Sequence, residues 1–282
     1  MRKNLLWTLT LVTVVTLLTP ALIVAAGAGV PAGPIPVTKT ISAVMQHVQR
    51  TAPPPADRKE ALSAEIDLTY PEFTSSKGPD PVVDKLNQLI RDRLFGMIEG
   101  EKPTSVDQLV ETFFRDYAKA LKEDPDQPGA WSLKFEATIR HADDDLLSLE
   151  MLQSAFTGGA HPTSMSDLLV LSPKTGARID LPAVVPPDRM GELVKVGERH
   201  FRKVRELKDG ETYEEAGFLF EGNKFALNDN FLIASSGLVF WFNPYEIAPY
   251  AMGPTELVLP WNELKGIVDP KGPAGKFLAQ GK

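Results

Sequence analysis

The stretch SGLVFWFNPYEIAPYAMGPTELVLPWNEL, residues 236–264, carries two opposed signals side by side. Leu238, Phe240 and Phe242 alternate with Val239 and Trp241 at the period of a β-strand. Gly237 interrupts the run ahead of them. Pro244 cannot donate to a strand ladder, so pairing stops there and residues 245–250 become an irregular connection. ELVLPWNEL then returns as a strand that bends into a short helical piece. Just upstream, Phe225 and Leu227 start one strand, and Phe231 and Ile233 start another. This section therefore reads as a β-meander with heavy aromatic loading.

Toward the N-terminus the same period recurs. AWSLKFEATIRH (130–141), the polar tip ADDD (142–145) and LLSLEMLQSAF (146–156) read as a hairpin, with SMSDLLVLSP (164–173) as the next strand. A turn with Gly176 leads to a short strand bearing Ile179 and Leu181. ALSAEIDLTYPEF (61–73) alternates Leu62, Ala64, Ile66, Leu68 and Tyr70. Three segments have helical spacing instead. In residues 78–100, Val82, Val83, Leu86, Leu89, Ile90, Leu94 and Ile98 form a stripe, with Pro81 in the first turn and Gly100 near the end. In 104–124, Ser105 and Gln108 make a capping box ahead of Val106, Leu109, Val110, Phe113, Tyr117 and Leu121. In 186–207 the apolar side holds Met190, Leu193, Val194, Phe201 and Val204. The expected fold class is α+β: antiparallel sheets with amphipathic helices on one face, in two consecutive α/β modules, residues 58–165 and 166–270. Residues 271–282 are expected to be a flexible tail.

The first 28 residues read as an export segment. Arg2 and Lys3 precede a long uncharged apolar run, and Ala26-Gly27-Ala28 fits a signal-peptidase site. The run is also long enough to span a bilayer, so an uncleaved anchor is the alternative. Either way the rest of the chain is expected to be extracytoplasmic, periplasmic or secreted, with no cytoplasmic domain ahead of the segment. Residues 29–57 are rich in proline and alanine and read as a linker, in which ISAVMQHVQR forms at most a brief helical turn and His47 lacks partner residues. There are no cysteines, which excludes disulfides and a lipoprotein cleavage site. Loss of Arg2 and Lys3 takes the formal net charge from -7 to -9, disfavouring nucleic acid and anionic lipid and favouring a cationic partner.

FTGGAHPTS, residues 156–164, interrupts the strand pattern between the hairpin and the next strand. Gly158 and Gly159 permit a sharp turn, and Pro162 holds His161 extended. A phosphate loop needs a following helix and a lysine, and both are lacking here. Asp143, Asp144 and Asp145 lack the glycine and later glutamate of a calcium loop, and His47, His141, His161 and His200 do not pair at a ligand spacing. Neither a metal nor a cofactor is expected.

TGGAHP together with the motif in residues 236–264 resembles the extracytoplasmic domain of unknown function of RsiV-like anti-sigma factors, which sense lysozyme; the domain also stands beside peptidoglycan deacetylases. The matching positions are Gly158, Gly159, Ala160, His161, Phe240, Phe242, Pro244, Tyr245, Glu246, Ile247, Ala248, Pro249, Tyr250, Ala251, Gly253, Pro260 and Trp261. Residues 60–157 resemble the α/β module that usually precedes that domain. The sequence has HP where some relatives have HG, and it carries neither a sigma-binding segment nor a deacetylase domain, so direct sequestration of a sigma factor is not expected.

Two functional expectations follow. The first is a non-catalytic envelope module for binding or sensing a basic protein such as lysozyme, or a cell-wall glycan such as peptidoglycan. Its candidate binding residues are Gly158, Gly159, His161, Tyr245, Glu246 and Tyr250. Tyrosines offer large amphipathic surfaces, and the prolines at 244, 249 and 254 pre-order the backbone that presents them. The second is a polysaccharide-acting enzyme with His161 and a carboxylate such as Glu246 as acid and base, which requires both side chains in one cleft. The incomplete catalytic constellations favour the first.

Overall fold

A computed structural model describes residues 33–54, 62–100, 102–124 and 130–279. The expected export segment, residues 1–28, lies outside them. Six strands form one sheet in the order of the chain: β1 (Ile35–Pro36), β2 (Ile41–Ala52), β3 (Ala64–Ser75), β4 (Trp131–Ala142), β5 (Leu147–Phe156) and β6 (Thr163–Leu171). Three more, β7 (Phe231–Ala234), β8 (Gly237–Phe242) and β9 (Thr255–Pro260), form a second sheet. Helices α1 (Pro81–Phe95) and α2 (Val106–Glu123) connect β3 to β4, and α3 (Met190–Val204) lies between β6 and β7. The mixed, mostly antiparallel architecture agrees with the α+β expectation. One pair departs from it: β3 and β4 run parallel, Ala64 opposite Trp131 to Thr69 opposite Glu136. A strand that returns after a two-helix crossover can align this way, whereas a hairpin cannot.

The helix starts are set by local chemistry. Asp80 Oδ1 accepts from the Val82 N–H at 2.9 Å, with Pro81 behind it where no amide hydrogen is needed. Ser105 Oγ accepts from the Gln108 N–H at 3.1 Å. Gln108 does not close the capping box on Ser105; its Oε1 accepts from the Thr104 N–H at 2.8 Å, one residue further back. Each helix turns its apolar stripe inward: Leu86, Ile90 and Leu94 of α1, and Leu109, Phe113, Tyr117 and Leu121 of α2, are buried against Ile66, Leu68, Leu133 and Phe135 of the sheet.

β6 belongs to two cores at once. Its Leu169 and Leu171 join the core under α1 and α2, while Leu168 and Val170 point the other way, into a core with α3 and β7–β9. This is why LLVL is continuously apolar: both faces of the strand are buried. The strand also crosses the expected module boundary at 165/166, so the modules share a wall.

Several sequence expectations are corrected by the structure. Residues 41–52, expected within a linker, form β2, which pairs with β3 from Ile41 opposite Ser75 to Ala52 opposite Ala64. Their alternation, Ile41 and Ala43 buried and Val44 exposed, was masked by the flanking prolines. His47 has partners there: its Nδ1 lies 3.0 Å from Thr69 Oγ1. The strand expected at Phe225 and Leu227 does not form. Those side chains pack directly on α3 at Gly197, where an added Cβ would sit 3.1 Å from each. The strand at Ile179 and Leu181 reduces to one bridge, Leu171 to Arg178, and a 3-10 turn. Val204, expected on the apolar side of α3, is 51% exposed, whereas Val196 is buried.

The expected flexible tail is packed through residue 279. Phe277 is 3% exposed, stacks on Trp261 with ring centres 5.1 Å apart and meets His141 edge-on at 5.1 Å. Lys276 forms an ion pair with Asp143 at the tip of the β4–β5 hairpin. Asp143 thus anchors the tail: partial burial opposes its charge, but hydrogen bonds from Lys276, the Asp145 amide, His141 and the Leu146 amide hold its carboxyl well below the usual carboxylate range. A group whose folded value is depressed contributes its full stability above the unfolded value of about 4, and loses it as pH falls from there through the folded value. Urea unfolding should therefore show a loss of stability below about pH 4 that is smaller in Asp143→Asn, and Phe277→Ala should cost about 3–5 kcal/mol at neutral pH.

Candidate binding corner

The corner is built from the edge of β6. A terminal strand leaves alternate peptide groups without partners. Here side-chain amides take the place of a seventh strand. Asn243 Oδ1 accepts from the Ser166 N–H at 2.7 Å and its Nδ2 donates to the Ser166 carbonyl at 3.2 Å. Asn230 Oδ1 accepts from the Leu168 N–H at 2.7 Å, and its Nδ2 donates to Ser166 O at 2.8 Å and to Trp241 O at 3.0 Å. Asn230 precedes β7 and Asn243 follows β8, so the two amides bind the second sheet to the first. They also place residues 244–250 beside the β5–β6 loop.

That loop turns through Gly158 and Gly159, at φ 110° and 98°, conformations that side chains with a Cβ resist. It delivers His161 to the two tyrosines. His161 lies on Tyr250 with ring centres 3.7 Å apart and planes at 10°. Its Nε2 is 3.0 Å from the Tyr245 hydroxyl, and its Nδ1 is 3.0 Å from the Pro162 carbonyl. A carbonyl only accepts, so Nδ1 carries the proton; in the neutral ring Nε2 then accepts from Tyr245. Tyr245 is 63% exposed, and its ring centre lies 5.8 Å from that of Tyr250.

Tyr245 also has φ 67°, a left-handed conformation uncommon for a bulky residue. Its surroundings impose it. The Tyr245 N–H donates to Ala248 O at 3.1 Å, Ile247 and Ala248 are buried, and the Leu219 N–H donates to Ile247 O at 2.7 Å. Glu246 completes the clamp. Its Oε2 accepts from the Asn243 N–H at 2.8 Å, and its Oε1 accepts from Asn228 Nδ2 at 2.6 Å.

The structure thus brings together His161, Tyr245 and Tyr250 of the expected site residues, with Gly158 and Gly159 shaping the approach. Glu246 has a different place: its carboxylate closes the turn beneath the tyrosines. Asn228, Asn230 and Asn243 were not singled out in the sequence, where an asparagine near a strand end reads only as a turn residue. Among the described residues, no group of three or more His, Cys, Asp or Glu side chains could hold a metal ion, and no helix is long and apolar enough to cross a membrane.

Asn243→Ala leaves the Ser166 amide without its partner. The variant is expected to lose about 1–3 kcal/mol in urea unfolding. It should also shift the His161 imidazole proton resonances toward free-histidine positions as the Tyr250 stack loosens.

Residues 184–262 match the family model described as a protein of unknown function (DUF3298), and residues 57–164 match that described as deacetylase PdaC. Tyr245, Glu246 and Tyr250 fall in the first match and Gly158, Gly159 and His161 in the second. The fold is similar to that of a DUF3298 family member from Bacteroides fragilis NCTC 9343, at 21% identity and TM-score 0.67, covering 85% of this chain and 98% of that one. It is also similar to a DUF3298 family protein from Pseudomonas aeruginosa PAO1, at 19% identity and TM-score 0.56, covering 81% and 95%. No curated protein matches. The chain carries a DUF3298 domain of unknown function beside a PdaC-like module.

Proposed function

We propose that this is an exported, non-catalytic module of the cell envelope that binds or senses a ligand at the corner of Tyr245, Tyr250 and His161. The ligand is a basic protein such as lysozyme or a cell-wall glycan. One observation carries this reading: an aromatic residue that is 63% exposed is held at φ 67° by a clamped turn. Such strain costs on the order of 1–3 kcal/mol, and its persistence at an exposed side chain points to a use for the side chain itself. A pre-ordered ring loses little entropy on docking. An acidic chain, net -7 over the full sequence, suits a basic partner. The match to a deacetylase-associated module supports an envelope setting.

The acid–base alternative is not carried forward. One Glu246 oxygen accepts from the Asn243 amide and the other from Asn228 Nδ2, and His161 addresses Tyr245 and Pro162.

The test is calorimetric titration of the protein with lysozyme and, separately, with soluble peptidoglycan fragments at low and high salt. Lysozyme binding should weaken as salt screens the acidic surface, whereas glycan binding by aromatic stacking should persist. Tyr245→Gly is expected to bind about tenfold or more weakly. The same variant should unfold at no lower urea concentration than the wild type, because glycine relieves the left-handed strain. Absence of binding to both probes, or full affinity in Tyr245→Gly, contradicts the proposal.

A further inference from the structure

Among the described residues, strand edges of the larger sheet that lack a neighbouring strand are treated differently. β3 runs past β4, and there Asn87 of α1 caps Phe73, accepting from its N–H at 2.8 Å and donating to its carbonyl at 2.9 Å. The β6 edge is capped by Asn230 and Asn243. At the opposite edge of the sheet, β1 covers β2 only at Ser42 and Ala43. On this outer side residues 44–52 have no strand beside them among the described residues.

The Ile41 carbonyl accepts from the Val37 N–H on that outer side. Strand alternation therefore turns the peptide groups of Met45, His47, Gln49 and Thr51 outward. Apart from the Arg50 guanidinium on the Gln49 carbonyl, no hydrogen bond among the described residues engages them. The devices that blunt natural edges are also missing: ISAVMQHVQRTA contains no proline and no lysine, and Arg50 is its one Asp, Glu, Lys or Arg residue.

We propose that this edge pairs with the same edge of a second copy, antiparallel, about a two-fold axis at Val48. Self-pairing sets each residue opposite one at equal distance from the axis, so a strand succeeds only if its charges do not face themselves. Centred on Val48, the register uses the whole uncovered stretch. It sets His47 opposite Gln49 and Arg50 opposite Gln46. Gln46 Nε2 donates to Glu72 at 3.0 Å, so the second copy's Arg50 arrives on the strand face that carries this carboxylate. A copy of the chain thus supplies both the backbone partners and a countercharge. The proposal is independent of the ligand at the tyrosine corner.

The absence of cysteine allows a direct test. Single cysteines at Gln46, His47, Val48 and Gln49 are introduced into the full-length chain, with Leu219→Cys as an exposed control away from β2. Residues opposite themselves in a non-hydrogen-bonded pair lie about 4.5 Å apart at Cα, within disulfide range. Under mild oxidation Val48→Cys should form covalent dimer on the order of tenfold faster than the control. A maximum at one of its neighbours overturns the Val48 register and the Arg50–Gln46 pairing argued from it. Adding Gln49→Pro, which removes an outward N–H that no strand among the described residues uses, should bring the rate down to the control while leaving thermal unfolding within a few degrees of wild type. Cross-linking at the control rate at all four positions in folded protein overturns the proposal. So does cross-linking that Gln49→Pro leaves unchanged.

Discussion

The rest of the structure depends on how β6 is sealed. Over Leu168–Leu171 its two faces are buried in different cores, so this half of the strand has solvent on neither face, and among the described residues no seventh strand pairs with its outer peptide groups. A buried N–H or carbonyl without a partner costs roughly 1–3 kcal/mol. Asn230 and Asn243 remove that cost at Ser166 and Leu168, and the Ile179 N–H does so at the Val170 carbonyl at 2.8 Å. Because the asparagines flank β7 and β8, sealing the edge also fixes the second sheet against the first. One constraint thereby joins the two cores and sets the position of everything that follows Asn243.

The corner inherits its precision from that arrangement. Asn243 is held at β6, Glu246 closes the turn onto the Asn243 amide, and Tyr245 is left with a backbone conformation that its own side chain disfavours. From the other direction, β6 begins just after the glycine turn, so the register that seats Ser166 also seats His161. The stack of His161 on Tyr250 is then a consequence of where two chain segments are pinned, each by backbone contacts. A site built this way presents an aromatic surface at little entropic cost on binding, which suits recognition.

The sequence carried the architecture well and the site partly. Binary patterning located the three helices, the β4–β5 hairpin and the β8–β9 pair, since in each the burial period matches the element's own geometry. It failed where another contact overrode the local signal. Ile41–Ala52 is a strand because β3 offers it a full-length partner, and the prolines around it dominate the composition without entering it. Phe225 and Leu227 alternate like a strand, but Gly197 lets α3 take them as packing partners instead. The tail holds because Phe277 finds Trp261, a contact far along the chain that no short window reveals. In the corner, the glycines and tyrosines announced an unusual turn. The side-chain amides that position it did not, since a single asparagine has no periodicity and its partner lies 62 to 77 residues away.

The most direct measurement of this account is native-state hydrogen exchange at the Ser166 and Leu168 amides. If the asparagine clamps close the β6 edge, both amides exchange as slowly as the central amides of β5, and only through global unfolding. Exchange at rates typical of an open sheet edge, with β5 still protected, would mean that the second sheet is not held by this edge and would contradict the account.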